Sequence, residues 1–347
     1  MAVKQPKKLL IMNILDILRR YSDADHRLSQ KDIVEILQNE YDMPADRKAV
    51  KRNLMNLIDF GYELEYSESI RRNKNGEEEV IYTDWYLERD FSDAELRLLI
   101  DSLLFSKHIP YSQCKELIGK LEGLSNRYFR SKVRHICNLP EDKPKNAELF
   151  YTIEVLDEAI EKGKQVTFFY ADYGTDGKLH LREKDGVPRE YCINPYQMVA
   201  TNGRYYLIGN LDKYDNVSHY RLDRICAISI ADTPAKPQRK VKGLEHGLDL
   251  PKHMAEHVYM FSGESKRVTL KTTPGMVGEL VDWFGKGITF MEETETSVTA
   301  HVTANLQAMR FWALQYAPYV TVLAPQELVD TVKEDLREAM KKYEEEE

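Results

Sequence analysis

The chain has 347 residues, of which 42% are hydrophobic and 31% charged, as expected of a globular protein with two or three domains. Its net charge of −8 excludes a protein that coats nucleic acid through general positive charge, so any DNA contact must come from local basic clusters. Four scattered cysteines without a C-x-x-C pair argue against disulfide scaffolds and zinc ribbons. The sequence shows neither the pattern of a signal peptide nor an apolar run of ~18 residues, so we expect a cytoplasmic protein without a membrane partner.

Three amphipathic helices are predicted near the N-terminus. Apolar side chains recur at helical spacing over residues 9–20. Ser29, with an acidic residue three positions later, is typical of the residue that caps a second helix. Asp46 shortly follows a proline and caps a third helix over residues 46–59, which Gly61 ends.

A β-hairpin is predicted directly after these helices. Two runs of strand-forming residues, 61–69 and 77–88, flank the dipeptide Asn75-Gly76, which is a strong signal for a turn. Three helices followed by a hairpin is the order of a winged helix-turn-helix, so residues 1–90 are predicted to form a DNA-binding domain. The string Trp85-Tyr86-Leu87 lies in the second strand and is best explained as an aromatic segment that packs on the helices.

The third helix has one apolar and one basic face. Val50, Leu54 and Leu57 form its buried stripe, and cationic side chains fall on the opposite side, as a recognition helix requires. Most basic helix surfaces are only solvated. This one lies on the third helix of its unit and is joined by a basic cluster at the hairpin tip, which favours DNA binding. The predicted DNA-binding residues are Arg47, Lys48, Lys51, Arg52, Arg71, Arg72 and Lys74.

The rest of the chain divides into a helical connector, a β-rich region and a C-terminal α/β region. A capping box at Ser92 opens the connector, and strand-like runs with recurrent turn residues over 165–233 predict a small β-barrel. Strands and helices then alternate β-α-β-α-β-α, as in an open-faced α/β sandwich. The predicted fold class is therefore multidomain α+β. The predicted domain boundaries are 1–90, 91–146, 147–233, 234–264 and 265–347.

Three segments of the β-rich region carry a family resemblance. They are YCINPY at 191–196, NGRYYLIG at 202–209 and HYRLDRI at 219–225. Together they resemble the WYL-domain family of transcriptional regulators, with Tyr205 at the position of the family's tryptophan and Ser218 where an arginine often stands. The resemblance implies an N-terminal winged helix-turn-helix, an Sm-like five-stranded barrel and a C-terminal extension that helps two subunits to pair.

The β-rich region combines aromatic faces with guanidinium groups. Aromatic rings stack on bases and arginines pair with phosphates, so these residue types favour an anionic ligand that contains a base. The resemblance further implies sensing of a nucleotide or a single-stranded nucleic acid. Alternatively, the tyrosines are barrel core and the arginines pair internally with Asp223. The predicted ligand-binding residues are Tyr170, Tyr196, Tyr205, Tyr206, His219, Arg221 and Arg224.

One motif suggests a different chemistry. His253-Met254-Ala255-Glu256-His257 matches H-x-x-E-H, a zinc-peptidase pattern, but five-residue matches arise by chance and no large catalytic domain surrounds this one. We therefore expect neither an enzyme nor a metal or other cofactor. The leading hypothesis is a homodimeric, ligand-responsive regulator that binds a double-stranded operator. The alternative is an accessory single-stranded nucleic-acid-binding protein with a scaffolding N-terminal domain, and a metallohydrolase is the third hypothesis.

Overall fold

The computed structural model describes residues 6–72, 78–106, 108–129 and 146–344. The chain divides into two compact units, Met1–Asp142 and Lys143–Glu347, and the fold of each is given separately. Among the described residues, no helix combines the length and the apolar character that crossing a membrane requires. The mixed multidomain α+β class predicted from the sequence is confirmed.

Unit 1 begins with three helices, α1 (Leu10–Tyr21), α2 (Gln30–Tyr41) and α3 (Arg47–Phe60). The predicted caps are present: the Ser29 hydroxyl accepts a hydrogen bond from the Asp32 amide, and Asp46 accepts one of 2.7 Å from the Ala49 amide. Gly61 ends α3 with a φ of 112°, a left-handed conformation that favours glycine. The helices share one apolar core. Its fully buried members include Ile14, Ile17, Leu18, Ile33, Leu37, Val50 and Leu54.

A hairpin of β1 (Leu64–Arg72) and β2 (Glu78–Leu87) follows the helices. Trp85 is 0% exposed and packs into the helical core, and its amide donates a 2.8 Å hydrogen bond to the Leu28 carbonyl. The segment 73–77, which includes the predicted turn and Lys74, lies outside the described residues.

Two further helices, α4 (Asp93–Phe105) and α5 (Tyr111–Glu122), form a hairpin with a small core of their own. Ser92 and Glu95 make the predicted capping box at the start of α4. Residues 130–145, which include Cys137 and the end of the predicted helical connector, lie outside the described residues.

Unit 2 opens with α6 (Leu149–Glu161), which packs on an antiparallel sheet. Its strand order is β10-β3-β7-β8-β9, and β4 pairs with β3. The strands are β3 (Lys164–Tyr173), β4 (Leu179–Leu181), β5 (Glu183–Lys184), β6 (Val187–Pro188), β7 (Glu190–Thr201), β8 (Arg204–Leu211), β9 (Ser218–Arg221) and β10 (Ile225–Pro234).

The predicted β-barrel is not closed in the part of the chain that the structure describes, because the edge strands β9 and β10 do not pair. β9 has only four residues, and a 3₁₀ turn, Leu222–Arg224, joins it to β10.

The C-terminal part of unit 2 is a four-stranded antiparallel sheet of order β12-β13-β11-β14 with helices packed on it. Trp312 and Phe284 lie in its core, with ring centroids 5.2 Å apart. The sequence predicts every strand except β12, whose residues are all exposed and therefore lack the alternation of a half-buried strand. The elements are α7 (Leu250–Glu256), β11 (Ser265–Thr272), α8 (Val277–Phe284), β12 (Thr289–Glu293), β13 (Val298–Asn305), α9 (Leu306–Gln315), β14 (Val320–Ala324) and α10 (Gln326–Glu344).

Candidate functional site

The basic face of α3 is fixed by the core on its other side. Val50 and Leu54 are 0% exposed, and their burial fixes which face of the helix points away from the core. Arg47, Lys48 and Arg52 are exposed, as the helical pattern predicts. Lys51 is half-buried instead, with its Nζ 4.1 Å from the centroid of the Tyr82 ring in β2, so it packs on the hairpin.

The basic residues of the hairpin face carboxylates across the strand pair. Arg71 lies opposite Glu79 and Arg72 opposite Glu78, and Arg72 is within 3.6 Å of the Glu78 carboxylate. Opposite charges at this distance cancel much of their combined field. Among the predicted DNA-binding residues that the structure describes, those on α3 therefore form the strongest cationic surface.

The predicted ligand-binding residues do not share one face of the sheet. Residues that pair directly across two strands project to the same side, and Tyr206 pairs with Arg221 while Ile208 pairs with His219. Leu207 and Tyr220 project to the other side. Tyr170 packs there, with its ring centroid 5.5 Å from that of Tyr220.

Three of the predicted tyrosines are largely enclosed. Tyr170, Tyr196 and Tyr206 are only 5%, 7% and 9% exposed, whereas Tyr205 is half-buried. The Tyr196 hydroxyl donates a 2.8 Å hydrogen bond to the Lys236 carbonyl, and burial raises the pKa of this phenol to about 12. Enclosed rings have little free face for a base to stack on, and this burial favours a core role for these three side chains.

The two predicted arginines are each paired with a carboxylate. Arg221 binds Asp223 through two hydrogen bonds of 3.0 and 2.5 Å, and Arg224 binds Asp172 at 2.6 Å. Arg182 also binds Asp172 at 2.6 Å, and its hydrogen bond lowers the pKa of the Asp172 carboxyl. Asp172 thus holds two guanidinium groups at the end of β3.

Two further arginines near these residues, Arg182 and Arg189, were not predicted from the sequence. The Arg182 guanidinium lies 4.9 Å from the Tyr170 ring centroid, and the Arg189 guanidinium lies 4.6 Å from that of Tyr191. Both arginines flank a short hairpin whose turn, Asp185-Gly186, has positive φ angles of 55° and 76°. The signal available in the sequence was this turn dipeptide with an arginine on either side.

We name the basic–aromatic cluster the group of side chains that converges here. One polar atom in it, Arg224 Nε, is buried without a hydrogen-bond partner in the described part of the chain. The cluster also has an accessible ring, since Tyr173 is 36% exposed and lies 5.9 Å from the Arg224 guanidinium. Its members are Tyr170, Asp172, Tyr173, Arg182, Arg189, Tyr191, Arg221, Asp223 and Arg224.

His219 belongs to a different environment. Its Nε2 lies 2.8 Å from Nε2 of His253, and the His253 ring stacks on His257 with centroids 4.1 Å apart. Burial, with smaller effects of the neighbouring histidines, lowers the pKa of His219 to about 3 and that of His253 to about 4. These two rings are therefore neutral at pH 7. Among the described residues, no set of three His, Cys, Asp or Glu is arranged to hold a metal ion.

Acid is expected to destabilise unit 2 through these two histidines. Below pH ~6.5 the unfolded chain binds protons at His219 and His253, whereas the folded chain takes them up only near pH 3 to 4. The free energy of unfolding therefore decreases as the pH is lowered. Each histidine contributes up to ~1.4 kcal/mol per pH unit in that window. Urea unfolding at pH 7 and pH 5 measures this loss. His219→Gln should reduce it and His246→Gln, at an exposed position, should not; equal losses in all three proteins would contradict the assignment.

Two family models match the chain, the WYL domain over residues 151–230 and the WCX domain over residues 264–340. Among solved structures, one similar chain is proteasome accessory factor B/C (PafBC) of Arthrobacter aurescens, at 15% identity and a TM-score of 0.28, covering 96% of this chain and 49% of that one. A CRISPR Cas-related protein is 16% identical with a TM-score of 0.39, covering 97% and 86%. The chain thus spans about half the length of PafBC. Comparison with curated protein sequences gave no match.

Proposed function

We propose that this chain is a transcriptional regulator whose affinity for DNA responds to a bound effector. The chain belongs to the WYL-domain family of regulators and carries a WCX domain after its WYL domain. The observation that carries the DNA part is the exposed basic face of α3 on a helix whose other face is fixed in the core. We assign the protein no catalytic activity, metal or cofactor.

In this proposal α1 to α3 and the β1–β2 hairpin act as a winged helix-turn-helix. α3 enters the major groove, where Arg47, Lys48 and Arg52 contact phosphates and guanine edges. Lys51 supports the hairpin through its contact with Tyr82, and Arg71 and Arg72 contact the adjacent backbone. The regulator acts as a homodimer on an inverted repeat whose half-sites lie one or more turns of ~10.5 bp apart.

The effector is a nucleotide or a short single-stranded nucleic acid, bound at the basic–aromatic cluster of the Sm-like WYL sheet. A phosphate competes with Asp172 for Arg182 and Arg224, which already bind a carboxylate in a partly exposed position. Tyr173 supplies the exposed ring on which a base stacks. Arg221 is held more tightly, because its partner Asp223 is buried, and it acts mainly by holding the cluster in shape.

Arg182→Ala with Arg189→Ala is expected to weaken effector binding by at least tenfold while leaving duplex binding unchanged. A hydrogen bond to a charged group is worth about 1.5–3 kcal/mol, and the two arginines lie away from the basic face of α3 in the sequence and on another unit. Fluorescence anisotropy of labelled oligonucleotides, with and without duplex, measures both affinities.

Lys184→Ala is the matched control, since Lys184 is an exposed cation on the same hairpin. An equal loss in the Lys184 variant would mean that only the net charge of the hairpin matters, and an unchanged affinity in the arginine variant would remove the effector site from this cluster.

The exposed part of the same cluster also favours the second candidate, an accessory protein whose main activity is binding single strands. The two candidates differ in what the intact protein prefers. A regulator prefers its own duplex over random duplex by orders of magnitude, whereas an accessory protein prefers single strands of any sequence.

A further inference from the structure

A cavity of about 830 Å³ lies in unit 2, on the side of the WYL sheet where His219 projects. The segment 242–249, helix α7 and residues 263–265 form its other walls. Cavities of about 300–1,000 Å³ are typical of small-molecule sites. It is separate from the basic–aromatic cluster, whose side chains are absent from its lining.

Two polar atoms that line this cavity have no partner among the described residues. His257 is 8% exposed, and its Nδ1 donates a 2.9 Å hydrogen bond to the His253 carbonyl, so Nε2 is the ring nitrogen that is left to contact a ligand. Ser265 Oγ is buried and makes no hydrogen bond in the described part of the chain. Because buried polar groups are nearly always hydrogen-bonded, the Ser265 hydroxyl indicates a partner that enters the cavity.

The charged side chains around the cavity indicate whether the ligand is a cation or an anion. Four carboxylates and two lysines line it, namely Glu245, Asp249, Glu256 and Glu264 with Lys242 and Lys252. Of these four acids only Glu256 is not fully exposed, with a side chain that is 16% exposed, and its contact with Lys252 is 4.0 Å, too long for a hydrogen bond. The excess of negative charge favours a cation.

The deep part of the cavity offers acceptors in place of donors. His219 and His253 use their facing Nε2 atoms on each other, so the groups left for a ligand are the His257 imidazole, the Ser265 hydroxyl and the Glu256 carboxylate. An ammonium group carries one positive charge and three N–H donors. It satisfies both the charge excess and the three available acceptors.

We propose that this cavity binds a small organic compound with a primary ammonium group, held by Glu256, His257 and Ser265. A carboxylate or phosphate ligand would be repelled by the excess of acidic side chains around the cavity. A transition metal would need the histidine nitrogens that already bond to each other, and among the described residues none of these groups is arranged for an ion.

Isothermal titration calorimetry on the full chain tests this site with 1-aminobutane and 1,4-diaminobutane. Tetramethylammonium is the control ligand, because it has the same charge as 1-aminobutane and no N–H donor. We expect saturable binding of at least one amine with one site per chain and no binding of tetramethylammonium. Glu256→Gln and Ser265→Ala should each raise the dissociation constant at least tenfold, and Glu338→Gln, at an exposed position on α10, should not change it.

Three results would overturn the proposal. They are the absence of binding of either amine at millimolar concentration, equal binding of tetramethylammonium, and amine binding that survives both cavity variants. Thermal melting of each variant without ligand confirms that it is folded, so a loss of binding is not a loss of structure.

Discussion

Alanine at both Lys48 and Arg52 is expected to weaken binding to the operator duplex by one to two orders of magnitude and to reduce its dependence on salt. Both side chains are exposed on α3, whereas Val50 and Leu54 on its other face are buried, so the two changes remove charge from one surface and leave the core intact. Loss of a base-contacting arginine costs about 1–3 kcal/mol, and each lost phosphate contact lowers the log–log salt slope by about 0.9.

The measurement is the fluorescence anisotropy of a labelled operator duplex at 50 to 300 mM salt, compared between the unchanged protein and the Lys48, Arg52 double variant. Lys115→Ala with Lys120→Ala is the matched control, because it removes two exposed cations from α5 in the same unit. Equal weakening by both pairs would show that only net charge matters. An unchanged affinity and slope in the α3 variant would remove α3 from the interface.

Arg221→Ala is expected to destabilise unit 2 by about 3–5 kcal/mol, the cost of leaving one partner of a buried ion pair without the other. The Asp223 carboxylate is only 2% exposed, and the two hydrogen bonds from Arg221 compensate its charge. Urea unfolding at pH 7 measures the loss.

The double variant Arg221→Leu with Asp223→Leu separates charge from packing. Replacing both partners by apolar residues removes the uncompensated carboxylate, so most of the lost stability should return. Lys184→Ala, at an exposed site, should change stability by less than ~0.5 kcal/mol. A loss below ~1 kcal/mol for Arg221→Ala would mean that the pair is dispensable and that Arg221 is free to contact an effector.

Local patterns of the sequence predicted the elements of unit 1 well. The Ser29 and Asp46 caps, the Gly61 stop and the alternation of strand residues around the hairpin depend on neighbours within a few positions, and those neighbours can be read directly. The resemblance to the WYL-domain family is likewise confirmed by the two family models, because it rests on short contiguous segments.

Features that depend on distant residues were predicted poorly. Whether the sheet closes depends on pairing between its two edge strands, β9 and β10, and Asp172 meets Arg182 and Arg224 only when segments far apart in the sequence come together. Likewise, His219 and His253 are 34 positions apart, so no spacing rule connects them. The ligand role predicted for Tyr170, Tyr196 and Tyr206 stays a prediction; it followed from their chemistry, which carries no information about their burial.

The most direct test of the regulator account is the specificity of the intact protein for duplex DNA. Genomic fragments recovered by the purified chain supply a candidate operator, and its affinity is measured at physiological salt against a scrambled duplex and against each single strand. The account predicts that the recovered duplex binds at least 10³-fold more tightly than the scrambled one. Equal affinity for the two duplexes, or a preference for single strands regardless of sequence, would contradict it.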